Sequence, residues 1–142
     1  MAYQLTTSIR IDATPDRVWE ALTDFRHYTE WNPFIQPAAG SAVVGTQLDL
    51  TIAGTRFRPR VLVAAPGREL RWLGRLGIRG LFDGEHYFLL TANGDGSTTL
   101  EQGERFTGLL VPLLRSKLAT DTRTGFEAMN DALRRRVESP LA

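Results

Sequence analysis

From Gln4 to Asp12, the inward candidates Leu5, Thr7, Ile9 and Ile11 alternate with Gln4, Thr6, Ser8, Arg10 and Asp12. A period of two predicts a strand with one wet face. Thr14-Pro15 follows as a helix start, because a threonine hydroxyl satisfies an orphan amide and proline has no amide to satisfy. Val18, Leu22 and Phe25 keep helical spacing, and a second short helical segment carries Tyr28 and Trp31 until Asn32-Pro33 stops it.

From Ile35 to Phe106 the pattern predicts successive antiparallel strands, with turn residues setting the registers. A two-residue loop at Gly54-Thr55 places Ile52 opposite Phe57, Leu50 opposite Pro59 and Leu48 opposite Val61, with Asp49 facing Arg60 and Thr51 facing Arg58 on the wet side. Pro66-Gly67 closes a hairpin that pairs Val63 with Leu70 and Val61 with Trp72. The loop Asn93-Gly94-Asp95-Gly96 sets Leu90 against Leu100, Phe88 against Gln102 and His86 against Glu104. Beyond Gly108 and Pro112, the stripe Leu114, Leu118, Thr122, Phe126, Met129, Leu133 and Val137 predicts a final helix of about 25 residues with one apolar side. The order is β-αα-β5/6-α: an α+β fold in which a curved antiparallel sheet packs on a long C-terminal helix. No repeat or linker divides residues 1–142, so one domain is expected.

Composition removes several chemistries. The 142 residues include no cysteine, which excludes disulfides, thiol nucleophiles and iron–sulfur sites, and two histidines do not make a histidine-rich metal centre. No cofactor and no metal are expected. A net charge of +1, from 17 basic and 16 acidic residues, creates no field to gather nucleic acid. Arg56, Arg58 and Arg60 share one strand face, but a nucleic-acid surface needs a denser basic patch with exposed aromatics, and Asp49 already opposes Arg60. The longest apolar run, Leu109–Leu114, is six residues and contains Pro112, so no transmembrane segment is expected, and the chain reads as cytoplasmic.

Several segments resemble the SRPBCC superfamily, with its START-like or birch-pollen-allergen-like helix-grip fold, and within it the polyketide cyclase/dehydrase and lipid-transport branch. They are Ala13-Thr14-Pro15 with Val18-Trp19, Trp31-Asn32-Pro33, Glu69-Leu70-Arg71-Trp72, Gly84-Glu85-His86-Tyr87-Phe88, Glu104-Arg105-Phe106-Thr107-Gly108, and Gly125-Phe126 with Met129-Asn130. The resemblance implies a cavity between sheet and helix that holds a hydrophobic small molecule, and a superfamily of carriers, cyclases and chaperone-binding members. Fold does not choose among them.

His86 and Glu104 face each other on the inner side, with Cβ atoms roughly 5 Å apart in the expected register. An imidazole beside a carboxylate in an apolar pocket can move a proton, as an aldol cyclisation and dehydration require. Equally, each can satisfy the other's buried hydrogen-bonding need. Tyr28, Trp31, Phe57, Val61, Trp72, Phe88, Phe106 and Phe126 are candidate ligand walls, with ordinary core packing as the alternative, and Thr122 is a candidate hydroxyl aimed inward. Gly74–Gly84 carries Leu76, Ile78, Leu81 and Phe82 on a glycine-rich stretch; it suits a lid, a membrane or partner contact, or a packed hairpin. Binding or transport of a hydrophobic molecule is the first expectation. A cyclase/dehydratase and a chaperone- or membrane-complex interaction module are the alternatives.

Overall fold

The computed structural model describes residues 2–139. Strand β1 (Ala2–Ile11) turns its period-two face inward, with Leu5, Thr7 and Ile11 buried. Helix α1 (Pro15–Thr23) starts as its sequence predicts: Thr14 accepts a hydrogen bond from the Arg17 amide at 3.4 Å, and Val18 and Leu22 are buried. A 3-10 segment (Phe25–Glu30) follows and ends where the Asn32 side chain accepts from the amides of Phe34 and Ile35, both at 2.9 Å. This pair of bonds redirects the backbone into a strand.

Seven strands then follow, where five or six were expected: β2 (Ile35–Ala39), β3 (Asp49–Ile52), β4 (Thr55–Phe57), β5 (Arg60–Ala65), β6 (Glu69–Arg75), β7 (Asp83–Ala92) and β8 (Thr98–Thr107). The stretch from residue 35 to residue 65 divides more finely than its hydropathy suggests, β4 being only three residues long. The antiparallel strands form a five-stranded sheet in the order β1-β8-β7-β6-β5 and a three-stranded sheet in the order β2-β3-β4. A bridge between Gln47 and Arg60, with Leu48 N–H to Pro59 C=O at 2.8 Å, links the two. The combined surface curves without closing.

The expected registers divide by turn chemistry. Leu90–Leu100, Phe88–Gln102 and His86–Glu104 pair as the Asn93–Gly96 loop predicts. Val61 pairs with Trp72 as expected, but a bulge between Val61 and Val63 moves Leu70 opposite Ala64 rather than Val63. The β3–β4 register also differs. Its turn residues are Ala53 and Gly54, at φ 48° and 84°, a primed turn instead of a Gly54-Thr55 loop. Leu50 therefore faces Phe57, Ile52 faces Thr55 and Thr51 faces Arg56. Asp49 is gripped by Arg56 through two hydrogen bonds, of 2.9 and 2.6 Å, which hold its carboxyl below the usual carboxylate range. Arg60 instead bridges Gln47 and donates to the Gly45 carbonyl.

The C-terminal helical stretch is not uniform. Helix α2 (Val111–Lys117) passes into a five-residue π segment (Leu118–Thr122) and then α3 (Arg123–Glu138). The π segment adds a residue to the turn, so the apolar stripe stays aimed at the sheet along the whole length. Leu118, Phe126, Met129, Leu133 and Val137 are buried along it, and α3 lies against β1 and β8. A Cβ on Gly125 would overlap the Phe34 ring, so the missing side chain lets that ring lie directly on the helix.

Candidate functional site

Neighbouring strands β7 and β8 bring His86 and Glu104 together. Their directly opposed positions put His86 Nδ1 3.2 Å from Glu104 Oε1, with the imidazole 1% exposed and the carboxylate side chain 16% exposed. Glu104 Oε2 lies over Gly84, where any Cβ would overlap it. Three aromatic rings enclose the imidazole: Phe88 stacks at 4.8 Å between centroids, Phe126 lies at 4.8 Å and Trp72 at 4.9 Å.

The far side of the imidazole is held by a buried polar relay. His86 Nε2 is 2.9 Å from Gln102 Oε1, and Gln102 Nε2 donates to Asn130 Oδ1 at 2.6 Å and to the Phe126 carbonyl at 3.3 Å. Asn130 Nδ2 donates to Thr7 Oγ1 at 2.9 Å, and the Thr7 hydroxyl donates to the Gln102 carbonyl at 2.8 Å. The relay ties β1, β7, β8 and α3 at one point. A buried polar group without a partner is costly, whereas here the members satisfy one another.

Glu104 and His86 form part of the wall of a pocket of about 190 Å³, between the β3–β4 hairpin, strands β6–β8 and the π segment. Phe57, Trp72, Phe106 and Thr122 line it too, so six of the residues singled out in the sequence meet there. The remaining five lie elsewhere. Tyr28 is buried in the core with its hydroxyl donating to the Leu22 carbonyl, and burial with the Asp24 charge pushes its phenol up. Trp31 packs edge-on against Tyr28, Val61 is buried in the same core, and Phe88 and Phe126 stand behind the wall as the rings that hold His86.

Phe34, Ile52 and Leu118 also line the pocket although the sequence did not mark them as ligand walls, and Leu76 and Phe82 reach it from the Gly74–Gly84 stretch. Gln102 had one visible signal: a polar residue opposite Phe88 on an otherwise apolar face. Thr7 and Asn130 are recognisable as its partners only in three dimensions.

The Gly74–Gly84 segment is a hydrogen-bonded hairpin tip. Leu76 N–H donates to the Phe82 carbonyl at 2.9 Å, and Leu109 and Leu110 amides bind the carbonyls of Gly80 and Leu81, both at 3.0 Å. Leu76 and Phe82 thus become pocket wall, while Ile78 stays exposed. A second concavity, about 550 Å³, opens between α1 and the end of α3. It is larger but lined by charges of both signs, with Arg136 paired to Glu30 at 2.8 Å, and it holds no buried polar pair. The smaller pocket is the better chemical site for an apolar molecule.

Among the described residues no group of three or more His, Cys, Asp or Glu side chains is placed to hold a metal, and no helix is long and apolar enough to cross a membrane. A curved antiparallel sheet gripping a long C-terminal helix is the START-like helix-grip fold. Residues 2–138 match the model of the family described as polyketide cyclase / dehydrase and lipid transport, and the chain belongs to that family. Comparison with curated protein sequences finds no match.

Among solved structures, a START superfamily protein from Mycobacterium smegmatis is similar at 24% identity and a TM-score of 0.72, covering 95% of this chain and 97% of that one. The Zhui aromatase/cyclase from Streptomyces is similar at 16% identity and TM-score 0.78, covering 97% and 94%. Norcoclaurine synthase from Thalictrum flavum, in complex with dopamine and hydroxybenzaldehyde, is similar at 14% identity and TM-score 0.77, covering 100% and 90%. These likenesses show the shared fold. Family membership supports a ligand-binding or cyclase role for the chain.

Proposed function

We propose that this protein binds a neutral hydrophobic small molecule in the pocket between the sheet and the C-terminal helix. The observation that carries this reading is an apolar-walled pocket whose buried end is the His86–Glu104 pair. Its volume of about 190 Å³ sets the scale of the ligand. Drug-sized ligands occupy pockets of about 300–1,000 Å³, whereas an apolar cavity of about 150 Å³ takes benzene. A single-ring molecule fits this shape, and a long acyl chain or extended polyketide requires the β3–β4 hairpin or the 76–82 tip to move outward.

Native mass spectrometry of the purified protein, with organic extraction of whatever travels with it, tests the proposal. A stoichiometric apolar molecule of one-ring size is the expected result. Failure to bind any one-ring compound in solution, read from shifts of the Trp72 and Phe106 side-chain resonances, removes the reading.

A second reading, proton-transfer catalysis of the cyclase or dehydratase kind, is favoured by the 3.2 Å approach of Nδ1 to Oε1 in the pocket wall. An imidazole and carboxylate this close exchange a proton without help from bulk water. His86→Ala and Glu104→Gln, each measured for turnover of a model polyketide, ligand binding and unfolding, separate the readings. Loss of turnover with binding and folding kept supports catalysis; equal loss of binding and folding supports a structural pair.

A further inference from the structure

The buried relay has a direction. A backbone carbonyl accepts and never donates, so the Gln102 atom facing the Phe126 carbonyl is the amide nitrogen. A second anchor agrees: the Thr7 hydroxyl spends its proton on the Gln102 carbonyl, accepts from Asn130 Nδ2, and thereby turns Asn130 Oδ1 toward Gln102 Nε2. Gln102 therefore offers His86 only its oxygen, and His86 Nε2 must carry a hydrogen to donate to it at 2.9 Å.

What remains is the other edge of the imidazole. With Nε2 protonated, a neutral ring would point the Nδ1 lone pair at Glu104 Oε1 across 3.2 Å in a site of little water. Two lone-pair atoms repel at that distance, and a low local dielectric sharpens the repulsion. A proton between them removes it, whether held on Nδ1 as an imidazolium–carboxylate pair or on Oε1 as an imidazole–carboxylic acid pair. The pair is uncharged overall in both forms. In both, the second carboxyl oxygen, Oε2 over Gly84, is an acceptor at the pocket wall.

From this we infer that the pocket selects a neutral ligand that donates a hydrogen bond, a ring bearing a hydroxyl, with the donor group on Glu104 Oε2 and the ring against Trp72, Phe106 and Phe57. Gln102 and Asn130 are the positioning residues that set the direction. The inference rests on the ligand-binding reading above. An acceptor-only ligand such as an aldehyde would set lone pairs against Oε2. A cationic amine would lose its hydration against apolar walls and a pair of zero net charge. Arg75, the cation in the wall, lies 3.7 Å from Asp83 Oδ1 and so faces a carboxylate of its own.

Three probes of nearly one size test it on the full chain by titration calorimetry: p-cresol, p-xylene and p-tolualdehyde. p-Cresol is expected to bind about tenfold more tightly than p-xylene, the worth of one hydrogen bond to a charged or strongly polar acceptor, with p-tolualdehyde no tighter than p-xylene. Equal binding of p-cresol and p-xylene, or tighter binding of p-tolualdehyde, overturns the inference and leaves the pocket reading standing. If none of the three binds, both fall. Glu104→Leu is expected to bring p-cresol binding down to the level of p-xylene binding measured on the same variant; a preference for p-cresol that survives overturns the assignment to Glu104. The role of Gln102 is read separately from imidazole 15N resonances. In the native protein His86 Nε2 is expected to be protonated, and Gln102→Met is expected to release that constraint and shift both ring nitrogens. A native Nε2 without a proton overturns the directional argument.

Discussion

Taking His86 out of water costs the hydration of two ring nitrogens, and the surroundings return it piece by piece. Gln102 satisfies Nε2, Glu104 meets Nδ1, and the faces of Phe88, Phe126 and Trp72 cover the carbon edge. Gln102 is the most connected member, since removing its amide leaves His86, Asn130 and the Phe126 carbonyl short of a partner at once. Gln102→Leu should destabilise the fold by about 2–4 kcal/mol, measured as a lower urea midpoint with unchanged slope. Gly84→Ala acts on the other side of the pair. Its methyl takes the space of Glu104 Oε2, so the carboxyl must swing out, and the His86 Nδ1 resonance should move while far-UV circular dichroism stays the same. At the surface, Asp95 is held to about 2 by hydrogen bonds from the Ser97 hydroxyl and amide and by Arg10. A carboxyl depressed on folding adds stability that is complete above its unfolded value of about 3.9 and disappears as pH falls through the folded one. A carboxyl 13C titration should place the Asp95 midpoint near 2, and Asp95→Asn should flatten the corresponding part of the acid unfolding curve.

At the scale of elements, registers were legible wherever a loop left one solution. Asn93–Gly96 offers glycine at two positive-φ positions, so β7–β8 pairing, and with it the opposition of His86 and Glu104, followed from the sequence. The β3–β4 turn did not. Ala53 accepts a positive φ that an alanine ordinarily avoids, and the register moves by two residues. Such strain is removable: Ala53→Asn, restoring the Asn-Gly pair that primed turns favour, should raise stability by about 0.5–1 kcal/mol, seen as a higher Tm. The bulge in β5 and the π segment of the last helix were invisible for a related reason. Each adds one residue to a pattern that hydropathy alone continues smoothly, and each pays off only against a neighbouring element. The π segment places Leu118 and Thr122 on the pocket wall.

For the molecule as a whole, occupancy of the pocket and folding are linked. A ligand that binds only the folded chain stabilises it by about 2.7 kcal/mol at a concentration of 100 times Kd, which for a chain of 142 residues is a rise in Tm of roughly 5–10 °C. p-Cresol should produce that rise in a thermal scan, and Thr122→Phe, filling the pocket from the helix side, should suppress it without loss of fold. The sequence by itself determined the α+β order, the long apolar-striped helix, the absence of thiol chemistry and the opposition of His86 to Glu104, because these follow from local period, composition and one unambiguous turn. Only the tertiary structure decided which aromatic residues line a pocket and which stand behind it, and how small that pocket is. It also decided that Thr7, Gln102 and Asn130, far apart in the chain, close into one relay. Space between elements and the direction of a hydrogen-bond chain depend on distances across the fold, and no local pattern carries them.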